Sequence, residues 1–309
     1  MRKKVSIIGS GNVGASLAEL VAREGLADIV ISDIAEGVPQ GKALDMSQAC
    51  ALWGSSSAIT GTNGFDETAG SDIIVITAGL ARKPGMSRDD LLKANAAIIS
   101  DVTAKAAKLS PDAVIIMVTN PMDVMAQVAL RVSGFSPERI IGMGGVLDSS
   151  RFRTFVAWEM GVSINDVEAL VMGGHGDSMV PMPRFTTVKG VSINELMTPD
   201  RVNALIDRTK NGGAEIVAHL KTGSAYYAPA ASTYEMVRSV LLDEKRLLPC
   251  SVMLSGEYGI EGVYAGVPVI LGSGGAVKVL ELELTENEHK LLKTSTDAVK
   301  TLIDKLRND

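Results

Sequence analysis

Short apolar runs alternate with helix-like segments through the first half of the chain, and this alternation restricts the fold more than any other feature. The runs lie at residues 5–8, 29–32, 72–77, 113–118 and 139–142. They are apolar on both faces, which indicates strands covered on both sides by helices such as the one predicted from Leu91 to Lys108. The fold class is therefore expected to be α/β, with a doubly wound parallel sheet that binds ligands at the carboxyl ends of its strands.

A glycine-rich turn, Gly9-Ser10-Gly11-Asn12-Val13-Gly14, follows the first run and leads into a helix-like segment. Gly9 permits a tight turn, Gly11 lets a pyrophosphate approach the backbone, and Gly14 lets the helix pack on the strand. The helix N-terminus offers free N–H groups and a positive dipole end to the phosphates. The second strand ends at Asp33, where a carboxylate accepts a hydrogen bond from a ribose 2′-hydroxyl and repels a 2′-phosphate. The pattern therefore favours NAD over NADP.

Two polar turns close the strands at residues 72–77 and 113–118. They read Thr77-Ala78-Gly79 and Thr119-Asn120-Pro121, and both are expected to line the ligand crevice because they follow parallel strands. Asn120 is either a hydrogen-bond donor to a substrate oxygen or a turn residue ahead of a proline, and the pattern leaves both interpretations open.

A basic loop lies between the first of these turns and the next helix. It contains Arg82, Lys83 and Arg88, and Ser87 with Asp90 forms a capping box for the helix that follows. Three cations beside the crevice predict a mobile lid that brings positive charge onto an anionic substrate. The alternative is a solvated basic loop.

One of the three histidines follows a predicted strand in the second half of the chain. The strand covers residues 167–172 and runs into Gly173-Gly174-His175-Gly176-Asp177. An imidazole held there would take and give a proton near neutral pH, although a plain turn histidine fits the same pattern. Asp148 and Arg151 lie three residues apart on one face of a predicted helix, either as a surface ion pair or as partners in the chemistry.

The architecture is expected to change near Gly145. Helices are predicted at residues 201–219 and 224–242, the second kinked at Pro229, before three short β segments that form an antiparallel meander. An amphipathic helix follows a capping box at Thr285 and Glu288. The expected domains are residues 1–145, which bind the cofactor, and residues 146–309, a mixed α+β domain that binds the substrate.

Composition narrows the classes of function. The net charge of −6 argues against a nucleic-acid or anionic-membrane partner, and no apolar run is long enough to span a bilayer. Cys50 and Cys250 show neither a disulfide framework nor metal-ligand spacing, which fits a reducing cytosol and predicts no metal site. The N-terminus lacks the pattern of a signal peptide, so a soluble cytoplasmic protein is expected.

A histidine, a carboxylate and several arginines beside an NAD site suit the oxidation of a 2-hydroxy acid. His175 would take the hydroxyl proton, and Asp148 would fix the tautomer of its ring. Arg151 would hold the substrate carboxylate in a bidentate way, and Arg88 would polarise the carbonyl. Arg82 then has no group of a simple 2-hydroxy acid to bind, which argues for a second carboxylate on the substrate.

Five motifs, in the order of the family, resemble the lactate/malate dehydrogenase superfamily. They are the turn at residues 9–14, Ala81-Arg82-Lys83-Pro84-Gly85-Met86, Val118-Thr119-Asn120-Pro121, Leu147-Asp148-Ser149-Ser150-Arg151 and the turn around His175. Arg82 stands where malate dehydrogenases carry an arginine and lactate dehydrogenases a glutamine. The chain length and the segment 221–229 resemble the bacterial lactate-dehydrogenase-like malate dehydrogenases. The resemblance implies a Rossmann domain and reversible hydride transfer between (S)-malate and oxaloacetate with NAD.

The resemblance also implies roles for individual residues. Asp148 and His175 would form the proton relay, Arg151 and Arg82 would bind the two substrate carboxylates, and Arg88 would contact the carbonyl. Asn120 would contact the substrate as well as the cofactor. The implied cofactor-binding set is Gly9, Gly11, Asn12, Val13, Gly14, Asp33, Thr77, Ala78, Gly79, Asn95, Val118 and Asn120. The family commonly forms homotetramers or homodimers, of which the tetramer is favoured here.

One departure from the family and three alternatives remain. Ala225 replaces a threonine of the family pocket and enlarges the pocket. A lactate dehydrogenase would leave the Arg82 guanidinium unpaired over a methyl group. An NAD-dependent glycosidase would need a metal held by cysteine and histidine. A non-catalytic NAD sensor would have no need to keep the histidine, the aspartate and the arginines together.

Overall fold

Six parallel strands form the larger part of a nine-stranded sheet in the computed structural model, which describes residues 2–80 and 87–307. In chain order they are β1 (Lys4–Ile8), β2 (Asp28–Ser32), β3 (Ile59–Thr62), β4 (Ile73–Ile76), β5 (Val114–Met117) and β6 (Ile140–Gly142). Their spatial order is β6-β5-β4-β1-β2-β3, the doubly wound arrangement of a dinucleotide-binding sheet. Five of these strands were predicted. β3 was missed because it is a short edge strand with a glycine at its centre.

Five two-residue strands follow in the second half of the chain. They are β7 (Val167–Glu168), β8 (Val171–Met172), β9 (Val180–Pro181), β10 (Thr187–Val188) and β11 (Val191–Ser192). The prediction of one continuous strand over residues 167–172 was wrong, because β7 pairs with β10 whereas β8 pairs with β9. The break lies at Leu170, whose N–H donates to the hydroxyl of Thr186 instead of a neighbouring strand.

The predicted antiparallel meander is present but extends the first sheet. Its strands are β12 (Arg246–Ser255), β13 (Glu261–Gly272) and β14 (Gly275–Val279). β12 pairs with β6 between Ser251 and Gly142. A side chain on Gly142 would bring its Cβ to 2.1 Å from the Met122 sulfur and 2.8 Å from the Ser251 Cβ, so this junction requires a glycine. The two halves of the chain therefore share one sheet.

Helices cover both faces of this sheet and surround the small strands. They are α1 (Asn12–Arg23), α2 (Val38–Trp53), α3 (Arg88–Leu109), α4 (Met122–Ser133), α5 (Gly145–Met160), α6 (Ile193–Leu196), α7 (Pro199–Leu220), α8 (Tyr227–Leu241) and α9 (Glu286–Arg307). The predicted kink at Pro229 was wrong. Pro229 is the third residue of α8, where a backbone N–H has no helical acceptor, so the proline removes no helical hydrogen bond.

Two apolar cores hold these layers together. The larger core joins the inner faces of the nine-stranded sheet to its covering helices, and the smaller one packs α5 against the short strands and α7. Helix α5 takes part in both, because Leu147 lies in the first core and Phe152 in the second. The start of α5 is therefore rigid, and it lies next to the carboxyl end of β6.

Candidate active site

The structure brings the predicted histidine, aspartate and arginine of the second half into contact. His175 Nδ1 lies 2.8 Å from Asp148 Oδ2, and Arg151 Nη1 lies 3.2 Å from Asp148 Oδ1. The exposed fraction of the side chain is 2% for Asp148, 12% for His175 and 13% for Arg151. The predicted contact along one face of α5 is confirmed, and it is a buried constellation.

The electrostatic setting of His175 favours its protonated form. Burial disfavours the charged ring, as does the charge of Arg151, but the charge of Asp148, the hydrogen bond to it and the charge of Asp123 together raise the pKa of His175 above 6.5. Because a carboxylate can only accept, Nδ1–H donates to Asp148 and Nε2 is the ring nitrogen left for chemistry. This is the arrangement of a histidine that exchanges a proton with a substrate.

The Arg151 guanidinium is held close to two glycines of α7. A Cβ on Gly212 would lie 3.2 Å from the Arg151 Cδ, and one on Gly213 would lie 3.7 Å from its Nη2. The first of these contacts is tight and the second is ordinary, so Gly212 leaves room for the stem of the arginine, although a glycine inside a helix costs up to about 1 kcal/mol relative to alanine. Among the described residues, the buried Nε of Arg151 has no hydrogen-bond partner. A carboxylate ligand would supply one.

The glycine-rich turn has the geometry of a phosphate cradle. Gly9 has a φ of +112°, and a Cβ on Gly14 would lie 2.0 Å from the carbonyl oxygen of Gly9, so the turn packs tightly against its own helix. A Cβ on Gly11, in contrast, would meet nothing within 4 Å. Helix α1 begins at Asn12 after this open glycine, and the first N–H groups of a helix have no acceptor within it. The residues therefore fit a dinucleotide whose pyrophosphate lies at Asn12 and Val13.

Asp33 is fixed at the end of β2 with its carboxylate ionised. Its Oδ2 accepts from the N–H of Ser10 at 2.6 Å and from the Ser10 hydroxyl at 2.8 Å, and its Oδ1 accepts from the N–H of Ala35 at 2.9 Å. Burial raises the pKa of Asp33. These hydrogen bonds and the ammonium of Lys42 lower the pKa by more than burial raises it, so it lies below 3.8. A negative charge at this position is what recognition of a ribose 2′-hydroxyl requires.

A cavity of about 590 Å³ connects the strand-end turns with the histidine. Its lining includes Thr77, Gly79, Leu80, Arg88, Asn95, Asn120 and His175. Thr77, a predicted cofactor residue, supports the backbone, because its Oγ1 donates to the Gly9 carbonyl at 3.1 Å. Thr119, which was not in the predicted set, donates from Oγ1 to the Ala78 carbonyl at 2.7 Å. Val118 is almost fully buried. The crevice is therefore formed at the carboxyl ends of β4 and β5, as predicted.

Asn95 joins the two turns of this crevice. Its Oδ1 accepts from the N–H of Leu80 at 2.8 Å, and its Nδ2 donates to the carbonyl of Asn120 at 2.8 Å. The residue is 1% exposed. We therefore assign Asn95 a supporting part in the crevice, whereas direct contact with the cofactor stays a prediction.

Only the end of the basic loop, from Ser87 onward, lies within the described residues. Arg82, Lys83 and the predicted lid lie outside the described residues. Arg88 is the first residue of α3 and lines the cavity. The predicted capping box is confirmed, because the Ser87 hydroxyl accepts from the N–H of Asp90 and the Asp90 carboxylate accepts from the N–H of Ser87. Ser224, the neighbour of Ala225, also lines the cavity.

The described part of the chain contains neither a metal centre nor a helix that could span a membrane. Within residues 2–80 and 87–307, no group of three histidine, cysteine, aspartate or glutamate side chains is arranged to hold a metal ion. No described helix combines the length and apolar character needed to cross a bilayer.

Comparison with known proteins assigns the chain to a family. Residues 3–142 match the family model of the lactate/malate dehydrogenase NAD binding domain, and residues 145–309 match that of the alpha/beta C-terminal domain. The chain belongs to the lactate/malate dehydrogenase family. A malate dehydrogenase of Roseiflexus sp. (strain RS-1) is 55% identical over 99% of this chain and 99% of its own length. One of Thermomicrobium roseum is also 55% identical, again over 99% of each chain.

Solved structures of the lactate/malate dehydrogenase family have the same fold. The malate dehydrogenase of Salinibacter ruber is 48% identical with a TM-score of 0.95, over 99% of this chain and 98% of its own. A lactate dehydrogenase of Cryptosporidium parvum, solved with lactic acid and NAD, is 43% identical with a TM-score of 0.97, over 100% and 99% of the two chains. The protein is thus an oxidoreductase of this family with NAD as its cofactor.

Some residues that support the site were not predicted. Asp123, Ser251 and Ser295 contact the turn around His175 or one another, and Gly212 and Gly213 contact Arg151. Asp123 had a signal in the sequence, since it is a single carboxylate inside the apolar run from Met122 to Ala129. The two serines had none, because a buried serine in a strand or helix is common.

Proposed function

We propose that the protein is an NAD-dependent malate dehydrogenase, which interconverts (S)-malate and oxaloacetate. The observation that carries this proposal is the buried His175–Asp148–Arg151 constellation, whose histidine lines the same cavity as the strand-end turns. The names of the relatives from Roseiflexus and Thermomicrobium support the choice of substrate. Arg82 supports it further, because a second guanidinium at the substrate suits a dicarboxylate.

In the proposed site, the residues divide the tasks of binding and proton transfer. NAD, held by the turn at residues 9–14 and by Asp33, supplies the acceptor for the hydride. His175 Nε2 takes the proton of the substrate hydroxyl, and the ionic pairing with Asp148 stabilises the imidazolium that forms. Arg151 binds the carboxylate next to the reacting carbon with its planar fork of donors.

The remaining predicted residues act on the carbonyl oxygen and the second carboxylate of the substrate. Arg88, at the start of α3 and on the cavity wall, polarises the carbonyl oxygen as charge develops there. Asn120, in the turn that follows β5, contacts the substrate on the side of the same carbonyl oxygen and also faces the cofactor. Arg82 binds the second carboxylate. In this scheme residues 1–145 bind the cofactor and residues 146–309 supply the proton-transfer residues.

The cellular setting and the assembly are parts of the same proposal. The protein acts in the cytoplasm, in the tricarboxylic acid cycle, as a homo-oligomer with a tetramer favoured over a dimer. Light scattering of the purified protein measures the mass directly, and a monomer at micromolar concentration would contradict the assembly.

The assay that tests the proposed function compares two substrates. Initial rates of NADH oxidation are measured with oxaloacetate and with pyruvate under the same conditions. A large preference in kcat/KM for oxaloacetate is expected, because Arg82 would be left unpaired over the methyl group of pyruvate. A preference for pyruvate would retain the histidine chemistry but replace the proposed substrate.

The pH dependence of the two directions should follow the ionisation of His175. Reduction of oxaloacetate needs the imidazolium, so its rate should fall as the pH rises through the raised pKa, which lies above 6.5. Oxidation of malate needs the neutral ring and should rise over the same range. In Asp148→Asn the carboxylate charge is lost, so the midpoint of the reduction profile should move to lower pH. The rate profile with oxaloacetate is the measurement.

A surface variant provides the control for this pH prediction. Asp101→Asn removes an exposed carboxylate of α3 that pairs with Lys105, and its profile should match that of the wild type. An unchanged midpoint in Asp148→Asn would show that Asp148 does not govern the ionisation of the histidine.

A further inference from the structure

Three successive residues of the turn that carries His175 are hydrogen-bonded through their backbone to distant elements. Gly173 exchanges two hydrogen bonds with Gly266 of β13, at 2.8 and 2.9 Å. The N–H of Gly174 donates to the Ser295 hydroxyl of α9 at 2.8 Å. The N–H of His175 itself donates to Oδ2 of Asp123 at 2.8 Å. The histidine is thus fixed through its main chain as well as through its ring.

Asp123 is unusual among these partners because it is an acid in an apolar environment. It is the second residue of α4 and is 4% exposed. Its other oxygen, Oδ1, accepts from the Ser251 hydroxyl of β12 at 2.6 Å. Burial raises the pKa of Asp123 despite these hydrogen bonds. An acid in such a place costs free energy of folding, which its two hydrogen bonds and the N-terminus of α4 offset in part.

The location of Asp123 connects two parts of the site. It follows Asn120 by three residues, so the helix that begins after the Asn120 turn carries the acceptor for the His175 backbone. The neighbouring Gly174 is required by α9 rather than by the carboxylate, because a Cβ there would lie 2.9 Å from Val299 Cγ2 but in ordinary contact, 3.5 Å, with Asp123 Oδ2. One carboxylate therefore links the helix that follows the Asn120 turn directly to the backbone of the histidine.

We propose that Asp123, supported by Ser251, is a positioning residue that holds the peptide N–H of His175 and so aims Nε2 at the substrate. The inference rests on the proposed role of His175 in proton transfer. Asp148 orients the imidazole ring from one side, and Asp123 fixes the backbone from which the ring extends. Reaction rates depend steeply on such alignment, since a displacement of about 1 Å can cost about 100-fold.

The test compares Asp123→Ala with Asp123→Asn. The alanine variant removes the acceptor, and we expect kcat for oxaloacetate reduction to fall by about 10- to 100-fold while the Kd of NADH, from fluorescence titration, stays within about twofold. The asparagine variant keeps an oxygen that accepts from the His175 N–H and an amide that donates to the Ser251 hydroxyl. It should recover kcat to within about fivefold of the wild type.

Controls separate positioning from loss of folded protein. Rates are expressed per NADH-binding site, and the folded fraction is measured by circular dichroism at the assay temperature. Ser239→Ala removes another buried hydrogen bond, to the Leu271 carbonyl, and should lower stability without changing kcat. If Asp123→Ala does not fold, Ser251→Ala serves instead, with a smaller loss of kcat expected and the Kd of NADH again preserved.

Three outcomes overturn the inference: wild-type kcat in the folded alanine variant, equal impairment of the asparagine and alanine variants, or wild-type kcat in Ser251→Ala when that variant replaces an unfolded Asp123→Ala. A parallel assay of His175→Asn distinguishes this failure from that of the proposed function. If His175→Asn is active, the role of the histidine itself is wrong. If His175→Asn is inactive and Asp123→Ala is fully active, only the positioning role of Asp123 is wrong.

Discussion

His175→Asn is expected to lower kcat for both directions of the reaction by about 10²- to 10⁴-fold, the usual contribution of a general acid–base residue. Asparagine can hydrogen-bond to Asp148, but its amide neither gives nor takes a proton near neutral pH. The fold should persist because the backbone hydrogen bonds that His175, Gly173 and Gly174 make to Asp123, Gly266 and Ser295 do not involve the ring. Steady-state NADH oxidation with oxaloacetate, together with the Kd of NADH, is the measurement.

A second histidine offers a matched control. His219 lies in the last turn of α7 and is exposed, so His219→Asn should leave kcat unchanged. Activity of the His175 variant within about tenfold of the wild type would remove the histidine from the proposed chemistry, because general acid–base catalysis is worth more than that.

Arg82→Gln is expected to reverse the substrate preference. Loss of the guanidinium leaves the second carboxylate of oxaloacetate without a charged partner, and removing one member of a buried ion pair costs about 3–5 kcal/mol. Since about 1.4 kcal/mol corresponds to a tenfold change, kcat/KM for oxaloacetate should fall by about 10²- to 4 × 10³-fold. The value for pyruvate should rise, because its methyl group would no longer face an unpaired charge. Parallel assays with both substrates give the ratio.

The control for this prediction is Arg201→Gln, an equivalent change at an exposed arginine that pairs with Glu159. It should leave kcat/KM unchanged for both oxaloacetate and pyruvate. Undiminished turnover of oxaloacetate by the Arg82 variant would mean that another residue reads the second carboxylate. The preference for a dicarboxylate would then have to come from residues of the cavity wall that the structure describes.

The fold was predictable where local rules decide it. Strands buried on both faces are continuous apolar runs, so β1, β2, β4, β5 and β6 were predicted from the sequence. Capping boxes are equally local, and the one at Thr285 is confirmed by its N–H donating to the Glu288 carboxylate and its hydroxyl accepting in return. The edge strand β3 and helix α2 were missed, because neither has a clear apolar period.

Much of the site was predictable for a related reason. Parallel strands bring their carboxyl ends to one edge of the sheet, so the turns after β4 and β5 had to lie near the glycine-rich turn. Asp148 and Arg151 share a helix face at a spacing of three. That His175 would lie 2.8 Å from Asp148 did not follow from either rule, because 27 residues separate them and two short strands intervene. The pairing was inferred instead from the chemistry that a 2-hydroxy acid requires, and the resemblance to the family implies it as well.

The sequence alone determined the α/β class, the cofactor turn, the acid at Asp33 and the types of residue available for chemistry, since each depends on a short stretch of chain. The tertiary structure decided which distant groups meet. It joined the meander to the parallel sheet at Gly142, placed α7 glycines against Arg151, and brought Asp123 to the backbone of His175. Such contacts arise from packing between elements far apart in the chain, and no local pattern encodes their distances.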